Sequence, residues 1–331
     1  MNRYAPVFAL ALLAPFIAEF LFGATPISRL AGFVFLALLY GGGAVLIREL
    51  VRRRSGTGWG RIVVLGAAYA LIEEGLAVQS FFNPDLFQAG AIGGRALGVN
   101  WIWSEWTVGY HILWSLLIPI LLTELLFPAR RTELWLKAPG VAVAGVCFAF
   151  GAIVIGIAFR RTIAPTFRAP IAQLAATAFV AAVLAVLALT WPVRPSTQQL
   201  PETRRSAPSP WLLGPLVLAV TAGWFGLFFL PQSLKSGARA LIPMVAAAGL
   251  AAGAGFFLRK WSGPDRRWTD LHSLALIFGA LPVTMLFGAL IVTAGNRTDQ
   301  IGQVIGCSVT LVLLAFFAER VRRRDSIVAL V

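Results

Sequence analysis

The sequence predicts an all-α, polytopic integral membrane bundle of about ten transmembrane helices, with the N- and C-termini cytoplasmic. Three observations carry this reading. The 331-residue chain is 58% hydrophobic and 13% charged, with a mean hydropathy of +0.80, whereas an ordinary globular chain is roughly 25% charged. Ten apolar runs approach the about 20 residues that a helix needs to cross hydrocarbon. The basic residues then divide unequally between the two sides that those runs define.

In chain order the runs are 5–23, 30–48, 62–81, 107–127, 140–159, 171–191, 211–230, 240–258, 271–293 and 301–318. The first could pass for a signal peptide, but Glu19 interrupts it and Gly23–Ala24–Thr25–Pro26 is a poor cleavage site, so it is read as helix 1. Gly41–Gly42–Gly43 interrupts helix 2, while Gly249/Gly253 and Gly302/Gly306 form GxxxG pairs on helices 8 and 10. Such spacing lets backbones approach closely in a bilayer. Residues 82–106 form an outer loop rich in Gly and Trp, read either as a lid or as an interfacial loop anchored by aromatics. Residues 192–210 read as a Pro/Ser-rich cytoplasmic linker. Two regions follow: residues 1–138, with helices 1–4 and the deep ionisable groups, and residues 139–331, an apolar bundle of helices 5–10.

With the N-terminus inside, 20 of the 28 Lys and Arg residues fall on the cytoplasmic side. This is the positive-inside bias, so most of the net charge of +14 is topological rather than a nucleic-acid footprint. Trp59, Trp135, Trp191, Trp211, Trp261 and Trp268 mark the inner boundary, and Trp101, Trp103 and Trp106 the outer one. The expected partners are the lipid bilayer, with anionic headgroups at the cytoplasmic face, and a second copy of the chain through the GxxxG helices. No nucleic acid is expected. The 25 Arg against 3 Lys suit a bacterial inner membrane. Cys147 and Cys307 lie in apolar runs and say nothing about redox compartment. Without a GK[ST] motif a nucleotide-binding P-loop is excluded.

Ionisable groups in hydrocarbon are expensive, so the deep ones mark candidate sites. Glu19 on helix 1, Glu73 and Glu74 on helix 3 and His111 on helix 4 all fall in the outer half of the bilayer. Glu73 shares a helical face with Gly66, Tyr69, Ala77 and Ser80. Glu74 points about 100° away, so the pair straddles a cleft rather than facing one neighbour squarely. Thr107, His111 and Ser115 line up along helix 4. The candidate catalytic residues are Glu73, Glu74 and His111, with Glu19, Tyr69, Thr107 and Ser115 as polar support. A carboxylate beside an imidazole suits a general acid/base pair or a proton relay. The competing reading is interhelical hydrogen bonding alone. Metal binding is a third, but HExxH and CxxC spacings are absent, so no metal and no cofactor are expected. By local spacing, Arg48, Glu49, Arg52 and Arg53 read as an interfacial salt-bridged run, Glu124 as reaching Arg130, and His272 with Asp270 as interfacial.

Residues 70–115 resemble the CAAX-protease and bacteriocin-processing superfamily of intramembrane glutamate proteases. Glu73–Glu74 match its paired glutamates and His111 its histidine on the next helix. Val78 and Thr107 stand where that family carries Arg and Phe, and its third motif is missing. The resemblance implies that the first glutamate activates water with the histidine assisting. The whole chain also resembles uncharacterised bacterial polytopic membrane proteins with RELxRRR and EEG patterns. The function expected is an intramembrane, peptidase-like hydrolase that needs no metal. A proton-coupled permease is the alternative, and a purely structural role the second one.

Overall fold

The computed structural model describes residues 2–54, 58–192 and 205–328, with side chains described to residue 325. In hydrocarbon each backbone N–H and C=O must be satisfied within its own segment, which makes helices of the apolar runs. We label them α1 (Ala5–Phe20), α2 (Ile27–Arg52), α3 (59–77), α4 (Trp101–Leu126), α5 (Ala138–Ile163) and α6 (Ile171–Thr190), then α7 (Pro210–Phe228), α8 (Gly237–Trp261), α9 (Asp270–Val292) and α10 (Arg297–Asp325). Among the described residues, α2 and α4 to α10 make eight helices long and apolar enough to cross a membrane. α1 is apolar but shorter, and α3 carries Arg61, Glu73 and Glu74. The chain is an all-α, polytopic membrane protein. Most of the linker expected at 192–210 lies outside the described residues, at 193–204.

Two compact units divide the chain, the first comprising Met1–Ala18, Ala31–Val193 and Leu230–Met244. Within it α4 is central, with 67% of its apolar window buried, against 17% for α6. α3 packs against both, and α5 lies along α2 and the end of α3. The glycine triplet has a contact for each residue. A Cβ on Gly41 would lie 2.3 Å from the carbonyl oxygen of Ala11, one on Gly42 2.9 Å from the amide of Phe148, and one on Gly43 2.6 Å from the ring of Tyr69.

Helix α4 starts at Trp101 instead of 107, because the preceding chain is folded. Strands β1 (Arg95–Ala96) and β2 (Val99–Asn100) form an antiparallel hairpin. Leu97 and Gly98, at φ 53° and 75°, supply the two left-handed residues of its tight turn. Asn100 Nδ2 donates to the carbonyls of Ser80 and Asn83, at 3.1 and 3.0 Å, and Arg95 donates to the Phe82 carbonyl at 3.0 Å. The hairpin is thereby tied to the end of α3.

The inner ends of α2 and α4 correct a sequence expectation. Arg48 and Glu49 are fully buried within the protein, and their partners are distant in sequence as well as local. Glu124 pairs with Arg48, at 3.4 Å, and with Arg52, whereas Arg130 pairs with Glu133. The cause is the segment after α4, which folds back over Arg48. Arg48 donates to the carbonyls of Glu133 and Arg131, at 2.7 and 2.9 Å, and stacks 3.6 Å from the Trp135 ring. Glu49 accepts from the amides of Trp135 and Leu136, at 3.2 and 3.0 Å. Local i, i+4 reasoning does not register a partner 76 residues away.

The second unit comprises Glu19–Leu30, Arg194–Phe229 and Val245–Val331. Here α9 packs against α7 and α10. A Cβ on Gly279 would lie 2.6 Å from the carbonyl oxygen of Gly214, and one on Gly306 2.5 Å from the ring of Phe20. His272 caps the start of α9 through Thr269 and reaches the Pro208 carbonyl at 2.9 Å, while Asp270 pairs with Arg324 at 2.6 Å. Strands β3 (Arg205–Ser206) and β4 (Arg266–Arg267) pair in parallel.

Candidate functional site

Three π-helical turns in the first unit carry the site. They are Ala37–Gly41 in α2, Leu71–Ala77 in α3 and His111–Leu117 in α4. A π turn is rare, occurs mostly as a single-turn bulge inside an α-helix and is frequent at functional sites; further π turns lie at Phe16–Phe20, Phe159–Ile163 and Gly288–Val292. Of the three at the site, the first presents Tyr40, the second Glu73 and Glu74, and the third His111 and Ser115. The consecutive glutamates engage opposite edges of one imidazole, with His111 of α4 between them.

His111 is buried between them. Its Nε2 lies 3.2 Å from Oε1 of Glu74, and its Nδ1 lies 3.4 Å from Oε2 of Glu73. Nδ1 also meets the Ser115 hydroxyl at 3.0 Å. The second oxygen of Glu74 accepts a hydrogen bond from Ser80, whose hydroxyl in turn accepts from the Trp103 indole N–H at 2.8 Å. The hydroxyls of Tyr40 and Tyr69 face Glu73, yet its buried Oε2 accepts no hydrogen bond. The rings of Tyr40, Tyr69 and Tyr110 surround His111 at centroid distances of 6.0, 5.9 and 5.7 Å.

Of the residues singled out in the sequence, Glu73, Glu74, His111, Tyr69 and Ser115 come together. Thr107 does not join them. Its hydroxyl bonds back to the carbonyls of Trp103 and Ser104, at 3.0 and 3.2 Å, the usual way for a helical threonine to satisfy itself. Glu19 belongs to the second unit, where it accepts from the Thr25 hydroxyl at 2.7 Å. Tyr40, Ser80, Trp103 and Tyr110 are the added members. A signal for three of the ring residues was present: of four tyrosines in the chain, Tyr40, Tyr69 and Tyr110 sit in apolar helices, where a hydroxyl needs a partner.

Chemically the arrangement offers two carboxylates and one imidazole within reach of each other. One donor atom from each of Glu73, Glu74 and His111 can be chosen so that all lie within 4.8 Å of one another. This set can shuttle a proton or hold a cation.

Fold and site together define a multi-pass α-helical membrane protein with a buried Glu/Glu/His centre. Residues 8–257, more than half of the chain, match the model of a family described as an uncharacterized membrane protein family, and the chain belongs to it. No curated protein and no solved structure matches the chain.

Proposed function

We propose that Glu73, Glu74 and His111 form the catalytic centre of an intramembrane, peptidase-like hydrolase. The observation that carries the reading is the single imidazole held between two buried carboxylates and oriented by Ser115. In this reading one glutamate takes a proton from water as the water oxygen attacks the scissile amide carbon. The C–N bond breaks, and the departing nitrogen receives a proton through His111, which regenerates the pair. The resemblance of residues 70–115 to intramembrane glutamate proteases points the same way.

A proton-relay permease finds less support. Inward from His111 the contacts reach Ser115, and the next ionisable group on α4 is Glu124, about 13 Å further along the helix. Glu124 is already committed to Arg48 and Arg52. We place the chain in a bacterial inner membrane with ten spans and both termini cytoplasmic, supported by the 20-to-8 distribution of basic residues.

The test compares the membrane peptides that accumulate in cells carrying wild type, Glu73→Gln, Glu74→Gln or His111→Ala. The expected result is a peptide that persists in all three variants at unchanged expression and Tm. Identical peptide profiles in every strain, or proton flux in wild-type proteoliposomes that the variants lose, would refute the hydrolase.

A further inference from the structure

The geometry points to a divalent first-row transition metal bound by Glu73, Glu74 and a ring nitrogen of His111. This inference rests on the proposed reading of the same cluster as a functional centre and adds the ion that it takes.

Four features argue for it. The donor set combines two carboxylate oxygens with one imidazole nitrogen, a mixture suited to zinc, manganese or ferrous iron rather than to calcium or to a soft ion. Its donor atoms lie within 4.8 Å of one another. Metal–ligand bonds of about 2.0–2.2 Å place opposed ligands at most about 4.4 Å apart, so the widest pair closes by at least about half an ångström, with Glu73 turning from the Nδ1 edge of the ring toward the Nε2 edge that Glu74 faces. Side-chain torsions supply that.

The second feature is the state of Glu73. Its side chain is 4% exposed, and Oε2 is aimed at the imidazole without accepting a hydrogen bond. A buried carboxylate oxygen with no donor is costly and calls for an explanation. A cation bound at Oε2 is one. The third is charge. Two carboxyl groups and one imidazole are gathered in one buried centre, and in their ionised form the carboxylates carry one negative charge more than a protonated imidazole can offset. A divalent ion with a neutral imidazole balances them.

The fourth is the ring of outer partners. Metal-bound imidazoles and carboxylates are ordinarily held by further hydrogen bonds that fix their orientation. Ser115 holds His111 at 3.0 Å, and Ser80, itself receiving the Trp103 N–H, holds Glu74 through the oxygen that does not face the histidine. These contacts leave one oxygen of Glu74 and one edge of the ring turned inward.

The experiment uses the full chain in detergent, stripped with a chelator and titrated with Co²⁺, with visible absorption and elemental analysis as readouts. The expected result is about one ion per chain in wild type and in Glu19→Gln, and none in Glu73→Gln, Glu74→Gln or His111→Gln. Chelation should also lower the wild-type Tm, reversibly with Zn²⁺, and leave the glutamine variants unmoved. Wild type that binds no Co²⁺, or variants that bind it equally, would overturn the proposal. The two readings fail separately. Persisting peptide in Glu73→Gln with no metal in wild type removes the ion and keeps the hydrolase. Stoichiometric metal with unchanged peptide profiles keeps the ion and removes the hydrolase.

Discussion

The Nε2 atom of His111 lies 3.2 Å from Oε1 of Glu74, and the opposite oxygen of that carboxylate is held by Ser80. Glu74 is therefore fixed at both ends, one by the imidazole and one by a hydroxyl that is itself tied to Trp103. Such double anchoring removes the rotamer freedom that would otherwise be frozen at the moment of reaction.

Replacing Ser80 with Ala should disturb this arrangement without disturbing the fold. Two hydrogen bonds are lost, the one to Glu74 within the same stretch of chain and the one from Trp103 on α4, at a cost on the order of 1 kcal/mol together, so Tm should move little. Activity, or Co²⁺ affinity, should fall several-fold because Glu74 regains its rotation. Ser80→Thr keeps the hydroxyl and should restore most of it. Full activity in Ser80→Ala would mean that Glu74 is positioned by His111 alone.

The inner ion network should be a matter of stability. Arg48, Glu49, Arg52 and Glu124 are buried and mutually paired. Removing one member leaves an uncompensated buried charge, at about 3–5 kcal/mol. Glu124→Gln and Arg48→Ala are expected to lower Tm strongly in detergent. Arg48→Lys should rescue little, since one ammonium cannot reach Glu49, two backbone carbonyls and the Trp135 face together. A Tm within a degree or two of wild type in Glu124→Gln would show the network to be dispensable.

The helical class, most helix positions and the Glu/Glu/His trio were legible in the sequence. Apolar length and the expense of buried charge are one-dimensional signals. That both Glu73 and Glu74 meet one ring was not, because it depends on how the His111 turn of α4 packs against α3. The Arg48–Glu124 pair escaped for a different reason. Its members are separated by 76 residues, and a charge near a helix end reads as interfacial until the chain folding over it is known. Tyr40 stood beside a glycine triplet whose role, close approach of Ala11, Phe148 and Tyr69, is a property of the neighbours.

The glycines separate into tight and open ones, and substitution should tell them apart. Gly41→Ala would drive a methyl group to 2.3 Å from a backbone oxygen, and overpacking of that kind costs typically about 1–3 kcal/mol. It should also move Tyr40, the adjacent residue. On α8, a Cβ at Gly249 or Gly253 meets nothing within 4 Å. Alanine there should be neutral to within about 0.5 kcal/mol for the folded chain. A loss of Tm in Gly249→Ala equal to that in Gly41→Ala would contradict this division.

Lys235 gives the fold a pH dependence outside the membrane spans. It lies between α7 and α8 and is 8% exposed. Its carbonyl accepts from the Gly94 amide at 2.7 Å, and a Cβ on Gly93 would stand 2.4 Å from that oxygen, so the backbone here is pinned to the Gly93–Gly94 turn. Burial pushes the ammonium below its ordinary value, because the charged form loses hydration. Between the lowered folded value and the unfolded one of about 10.4, the unfolded chain holds a proton that the folded chain has released. Stability therefore rises with pH across that window and is lowest where Lys235 is charged in both states. Wild-type Tm should increase from neutral pH toward about pH 10 relative to Lys235→Met, which carries the same apolar stem without the titrating group. Parallel Tm curves for the two proteins across that range would show that Lys235 keeps its charge hydrated in the folded chain.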